Sequence, residues 1–220
     1  MKINVSQELR SACPDFVGAA VSATVVNSVS NADLWNEIDT LGRELQSRYS
    51  TDDIKNIPSI AATRQAYKSC GKDPSRYRPS GEQLMRRVLQ GKELYRINTL
   101  VDLINLASMK FGYSIGGFDA ALFQGDTLTL GIGRKDEPYE GIGRGLLNIE
   151  GLPVYRDAAG GVGTPTSDNE RTKLRPATTR LFAIVNGYDG NRENVTANAE
   201  FIRELLCRYA ASDGGEIIMF

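Results

Sequence analysis

Residues 76–119, RYRPSGEQLMRRVLQGKELYRINTLVDLINLASMKFGYSIGGFD, decide the fold of this 220-residue chain. Pro79-Ser80-Gly81-Glu82 reads as a helix start capped by Ser80, with Leu84, Val88 and Leu89 turned inward and Gly91 as the stop. A second helix is predicted from Asn98 or Thr99, burying Leu100, Leu103, Ile104, Ala107 and Phe111. Asn98, Asp102 and Asn105 recur at i, i+4 and i+7 and so form one polar row along it. Gly116-Gly117 reads as a turn that closes the block.

Outward from this block the pattern is mixed. Residues 2–6 alternate as a short strand, and Phe16 to Asn27 has the small and β-branched residues of a buried one. Asn31 is placed to cap a helix whose inner face is Trp35, Ile38, Leu41 and Leu45, and another helix is expected from Pro58 to about Gly71. Downstream, residues 127–132, 152–155 and 181–185 read as strands punctuated by glycines. A closing helix buries Val195, Phe201, Ile202, Leu205, Leu206 and Tyr209, and an apolar strand ends the chain at Phe220. The order predicts an α+β fold, with helices packed on a mixed, largely antiparallel sheet in one domain spanning 1–220.

Composition removes several function classes. Hydrophobic content of 41% and charged content of 24% are those of a globular domain, and no apolar run would span a bilayer, so no membrane association is expected. The chain has no histidine, which excludes Ser-His-Asp and Cys-His catalysis and imidazole-ligated zinc. Cys13, Cys70 and Cys207 are scattered without metal-ligand spacing, so a reduced cytoplasmic setting, no metal and no cofactor are expected. Cys70 precedes a helix-ending glycine, at the negative end of a helix where a thiolate is disfavoured, so no nucleophile role is expected of it.

Net charge is −1, yet Arg64, Lys68, Lys72, Arg76, Arg78, Arg86, Arg87, Lys92 and Arg96 crowd one stretch against Asp73, Glu82 and Glu93. That is a local basic face suited to phosphate, or a solvated surface with scattered ion pairs. Residues 157–172, DAAGGVGTPTSDNERT, gather glycines, hydroxyls and charges. They lack the Gly-Lys-Ser/Thr of a nucleotide-phosphate loop and the strand–turn–helix setting of a dinucleotide fingerprint. The stretch reads either as a ligand loop or as a tight surface loop held by Asx turns. Asp136, Glu137 and Glu140 beside Tyr139 read as an exposed hairpin tip.

The order of parts in 76–119 resembles the B3/B4 domain of the phenylalanyl-tRNA synthetase β-subunit, where mischarged tRNA is edited. The likeness is densest in NTLVDLINLASMKFGYSIGGFD, with Val101-Asp102, Asn105 three residues later, and the closing Phe118-Asp119. It covers 76–185, leaving 1–75 as a less covered N-terminal layer and 186–220 as a closing helix and strand. The resemblance implies a freestanding protein that binds tRNA or aminoacyl-tRNA and hydrolyses the mischarged ester with water. Thr164, Thr166 or Asp168 would orient that water, and backbone amides of the glycine loop would stabilise the transition state. Asn98, Asp102, Asn105, Gly116, Gly117, Gly161 and Gly163 would shape the pocket for the amino-acid moiety. Asp168 and Glu170 both fall where the family's acid senses a tyrosine hydroxyl. Arg76, Arg78, Arg86 and Arg87 would meet the tRNA backbone. Gly116 stands where synthetase members commonly carry a pocket histidine, which implies a wider pocket. The alternative is a non-catalytic module on the same fold that binds RNA or an amino acid; a third is another small-molecule hydrolase or isomerase.

Overall fold

In the computed structural model, which describes all 220 residues, the chain runs β1 (Lys2–Val5), α1 (Gln7–Ala12), β2 (Val17–Thr24), α2 (Ala32–Arg48), α3 (Pro58–Ser69), α4 (Ser80–Leu89), α5 (Thr99–Phe111) and β3 (Ser114–Asp119). It continues through β4 (Thr127–Ile132), β5 (Glu140–Gly141), β6 (Gly145–Leu146), β7 (Pro153–Asp157), β8 (Gly160–Gly163), β9 (Arg180–Gly187), α6 (Arg192–Tyr209) and β10 (Glu216–Met219). The α+β class holds. The strands divide into two four-stranded sheets and a small β5–β6 hairpin rather than forming one sheet.

The central sheet, in the order β10-β2-β9-β3, is antiparallel throughout. The second, β1-β4-β7-β8, is mixed, because β1 joins β4 in parallel. Alternation along the central strands explains the layering. Ala19, Val21, Ala23, Leu181, Ala183 and Val185 point to α2, α5 and α6, where they meet Trp35, Leu103 and Ile202 in a 30-residue core. Ala20, Phe182 and Ile184 point the other way, onto Leu128, Leu130, Tyr155 and Val162 of the second sheet. With both faces covered, β9 is buried at every residue except Arg180, and so reads as a continuous apolar run. Burying a side chain such as Phe182 or Ile184 contributes roughly 1.5–3 kcal/mol.

Several local expectations change. Ser80 is the first residue of α4 and does not cap it; its backbone N–H donates 2.7 Å to the Pro165 carbonyl, so the helix begins docked on the segment after β8. Gly81 permits this docking, because a Cβ there would lie 3.0 Å from the Tyr113 carbonyl oxygen. Met85 joins Val88 in the core, while Leu84 and Leu89 are half-buried. Gly116-Gly117 is no turn but the middle of fully buried β3. The turn falls earlier, at Gly112, whose left-handed φ of 76° ends α5. The 157–172 stretch is not a surface loop either: it contains strand β8 and is largely buried. Glu137 leaves the expected hairpin tip to pair with Arg156 at 2.6 Å.

Candidate functional site

A cavity of about 620 Å³ opens where α4, α5, β3, the β5–β6 hairpin and the segment after β8 converge. Its apolar walls include Leu84, Val101, Ile104, Ile115 and Leu174. Polar groups enter from Asn105 and Ser108 on α5 and from Thr164, Ser167 and Asp168. Arg144, Lys173 and Arg175 stand about it. An apolar cleft with a few convergent polar groups is the form of a small-ligand site.

Asp168 is the central ionisable group. Its Oδ2 accepts the Gly117 N–H at 2.9 Å. Oδ1 lies against Gly116 and Gly163, where an added Cβ would come within 3.2 Å and 3.1 Å of it. The same Cβ atoms would strike the Phe118 ring at 2.7 Å and 2.5 Å, so both glycines exist to let that ring and the carboxylate pack on backbone. Enclosure by protein raises the Asp168 pKa to about 7, and the one Gly117 hydrogen bond opposes this only in part. The carboxyl is thus poised between neutral and ionised near neutral pH.

The expected hydroxyl residues, Thr164 and Thr166, both line the cavity and are also engaged within the fold. The Thr166 hydroxyl donates to the Tyr77 carbonyl at 3.1 Å and meets the Tyr67 hydroxyl of α3 at 2.8 Å. Thr164 Oγ1 accepts the Thr166 and Ser167 N–H groups at 3.2 and 3.1 Å and donates to the Ser167 carbonyl. Together they fold the turn that presents Asp168. Of the loop amides expected to stabilise a transition state, Thr164 N–H bonds the Ser167 carbonyl and Asn169 N–H the Val162 carbonyl; outside the loop, Gly117 N–H bonds Asp168 itself.

The polar row on α5 splits. Asn105 lines the cavity. Asn98 is a buried N-cap whose side chain accepts the Val101 N–H at 3.1 Å at the cavity edge. Asp102 turns away: its carboxylate accepts Trp35 Nε1 at 2.8 Å and the Ile97 N–H at 3.2 Å, fastening α5 to α2. Burial raises the Asp102 pKa against those bonds and the nearby Arg96. Gly117 lines the cavity, and a Cβ on it would meet Ile104 at 2.5 Å. Gly116 faces Phe118, so its lack of a side chain does not by itself widen the cavity. Gly161 packs on the Tyr139 ring, and Glu170 pairs with Lys173.

The basic face is more engaged than its sequence suggests. Buried Glu82 is approached by Arg64 at 2.8 Å, Arg78 at 3.2 Å and Arg86 at 3.4 Å. Arg87 donates to the Glu93 carbonyl and stacks over Tyr95 at 4.2 Å. Arg76 is exposed, beside the Tyr77 ring. The cations at the cavity, Arg144, Lys173 and Arg175, were not singled out by sequence. Lys173 and Arg175 are two residues apart, but Arg144 lies 29 residues before Lys173, so no sequence spacing groups the three. Arg144 reaches across to Gln83 at 2.8 Å and ties the hairpin to α4.

The model of the B3/4 domain matches residues 62–204, and the chain belongs to that family. The match includes α4, α5, β3 and the whole cavity, and starts within α3. Among solved structures, the chain is similar to an N-terminal fragment of the phenylalanyl-tRNA synthetase β-subunit from Pyrococcus horikoshii, at 14% identity and a TM-score of 0.49. That alignment takes in 98% of this chain and 50% of the fragment, so the chain spans about half the fragment's length. No curated protein sequence matches the chain.

Proposed function

We propose that the cavity receives the aminoacyl end of an aminoacyl-tRNA and hydrolyses its ester with water, Asp168 acting as the base. The observation that carries this is the Asp168 carboxyl, held at the cavity wall with a pKa of about 7 and a single protein donor. A base with a pKa near the working pH takes a proton with useful driving force. Ionised Asp168 would accept a proton from water as the water oxygen attacks the ester carbonyl carbon. The tetrahedral oxyanion would take a hydrogen bond from the Asn105 side-chain amide, which has no protein partner and shares the cavity. Collapse breaks the carbon–oxygen bond to the ribose, and the departing ribose oxygen takes the proton back from Asp168. Thr164 and Thr166 hold the turn that presents Asp168. Arg144, Lys173 and Arg175, which line the cavity, would meet the phosphates that lead to the acceptor end.

A second reading, binding without turnover, draws on the engagement of the Thr164 and Thr166 hydroxyls and the neighbouring amides, which leaves few groups free for catalysis. One experiment separates the two. A panel of cognate and mischarged aminoacyl-tRNAs is followed for deacylation and binding together, with wild type and Asp168→Asn. Selective release that Asp168→Asn lowers by 100-fold or so, with binding kept, is the expected result. Binding with no release by the wild type would leave the recognition module standing, and neither would overturn both.

A further inference from the structure

Outside the cavity, the fold brings together two cysteines that the sequence holds 57 residues apart. Cys13 ends α1 and Cys70 ends α3, and their sulfurs lie 4.0 Å apart. Cys13 is buried beside Leu9, Phe16, Ala66 and Tyr188, and Cys70 is half-buried and open to solvent on one side. We propose that Cys13 and Cys70 are a thiol-oxidation site, closing to a reversible disulfide by exchange with a low-molecular-weight disulfide such as oxidised glutathione.

The geometry requires little movement: bonded sulfurs lie about 2.05 Å apart, so the pair must close by about 2 Å. Gly71 follows Cys70 with a left-handed φ of 90°, so the chain leaves α3 on a glycine turn, with Gly151 packed against the Cys70 and Gly71 carbonyls. Both sulfurs sit at helix C-terminal ends, where an anion is disfavoured and an uncharged disulfide is not. Within the pair, the contact with Cys70 pulls the Cys13 thiol down against the effect of burial, while the contact with Cys13 and then burial push the Cys70 thiol up, so Cys70, the more accessible sulfur, exchanges slowly and Cys13 resolves readily. The steps balance. Cys70 loses its proton to solvent and attacks one glutathione sulfur, releasing one glutathione thiolate. Cys13, deprotonated in turn, attacks the Cys70 sulfur and releases the second. Two protein thiols are oxidised by two electrons, and one disulfide is reduced to two thiols that take up the protons.

The bridge would fasten α1 to α3, the helix whose Tyr67 holds Thr166. It closes a 57-residue span and so restricts the unfolded chain.

The test uses the full chain, equilibrated across a glutathione redox series, quenched by alkylation and mapped by mass spectrometry. The expected result is that Cys13 and Cys70 lose alkylation together and appear as one cross-linked peptide, in wild type and in Cys207→Ser alike. The urea midpoint should rise by about 1 M on oxidation and fall back on reduction. Cys70→Ser should abolish both effects; if that variant does not fold, the wild-type peptide map decides alone. Full alkylation of Cys13 and Cys70 across the series, or glutathione adducts that never resolve to the cross-link, would overturn the proposal.

Discussion

Asp168 shows how one residue's chemistry follows from its packing. Largely enclosed by protein at the cavity wall and given one N–H partner, its carboxyl holds a proton up to about pH 7, whereas in an unfolded chain it ionises near 4. Between those limits the folded state binds more protons than the unfolded one. This group therefore lowers stability as pH rises from about 4 to about 7, by up to about 1.4 kcal/mol per pH unit, and adds no further slope above that. Asp168→Asn keeps an acceptor for Gly117 and removes the titration. Its stability relative to wild type should be higher at pH 8 than at pH 5 in urea unfolding; an equal difference at both would show that the carboxyl is not raised. The residue type and its neighbourhood of hydroxyls were legible in the sequence. Its proton affinity was not, because the enclosure that raises it is built partly by β3, about 50 residues earlier, whose Gly116 backs the carboxylate.

At the scale of elements, α4 is fixed by two devices that a helical pattern does not reveal. Its first N–H groups dock on the Pro165 carbonyl and the Ser114 hydroxyl. Its buried Glu82 draws in Arg64, Arg78 and Arg86. Those arginines are each partly exposed, so screening reduces the value of each pair, but removing the shared carboxylate leaves three like charges together. Glu82→Gln should cost about 2 kcal/mol in chemical unfolding, and Arg78→Ala less than about 1 kcal/mol. A larger loss from Arg78→Ala would mean that Glu82 is not the hub. The helix itself was readable from Val88 and the Gly91 stop. The Ser80 cap was misread because Ser-x-Glu beside proline has the form of a cap, while a backbone carbonyl from the distant Pro165 had already taken the N–H.

At the scale of the whole molecule, two sheets and a helical layer bring the cavity and its cations together. If tRNA is the partner, its salt dependence should be set by the cavity rim rather than by the helix surface. Arg144→Ala with Arg175→Ala should flatten the dependence of log affinity on log salt by about 1.5 units. Arg86→Ala with Arg87→Ala should change it less, since Arg86 faces Glu82 and Arg87 faces Glu93 and Tyr95. The reverse order would return the contact surface to α4.

The sequence by itself determined the α+β class, the positions of α2, α3, α5, α6 and most strands, the absence of histidine chemistry, and the family likeness of 76–119. Each of these is written locally, in periodicity, caps and composition, since burial of one face demands its repeat along the chain. Tertiary structure decided that Gly116-Gly117 is strand, that Asp102 serves Trp35 while Asn105 faces the cavity, and that Thr164 and Thr166 build the turn beneath Asp168. It also decided that Cys13 meets Cys70, and that Arg144 stands with Lys173 and Arg175. These are meetings of residues far apart in the chain. Only the packing of two sheets against the helices chooses between partners that local pattern leaves equivalent.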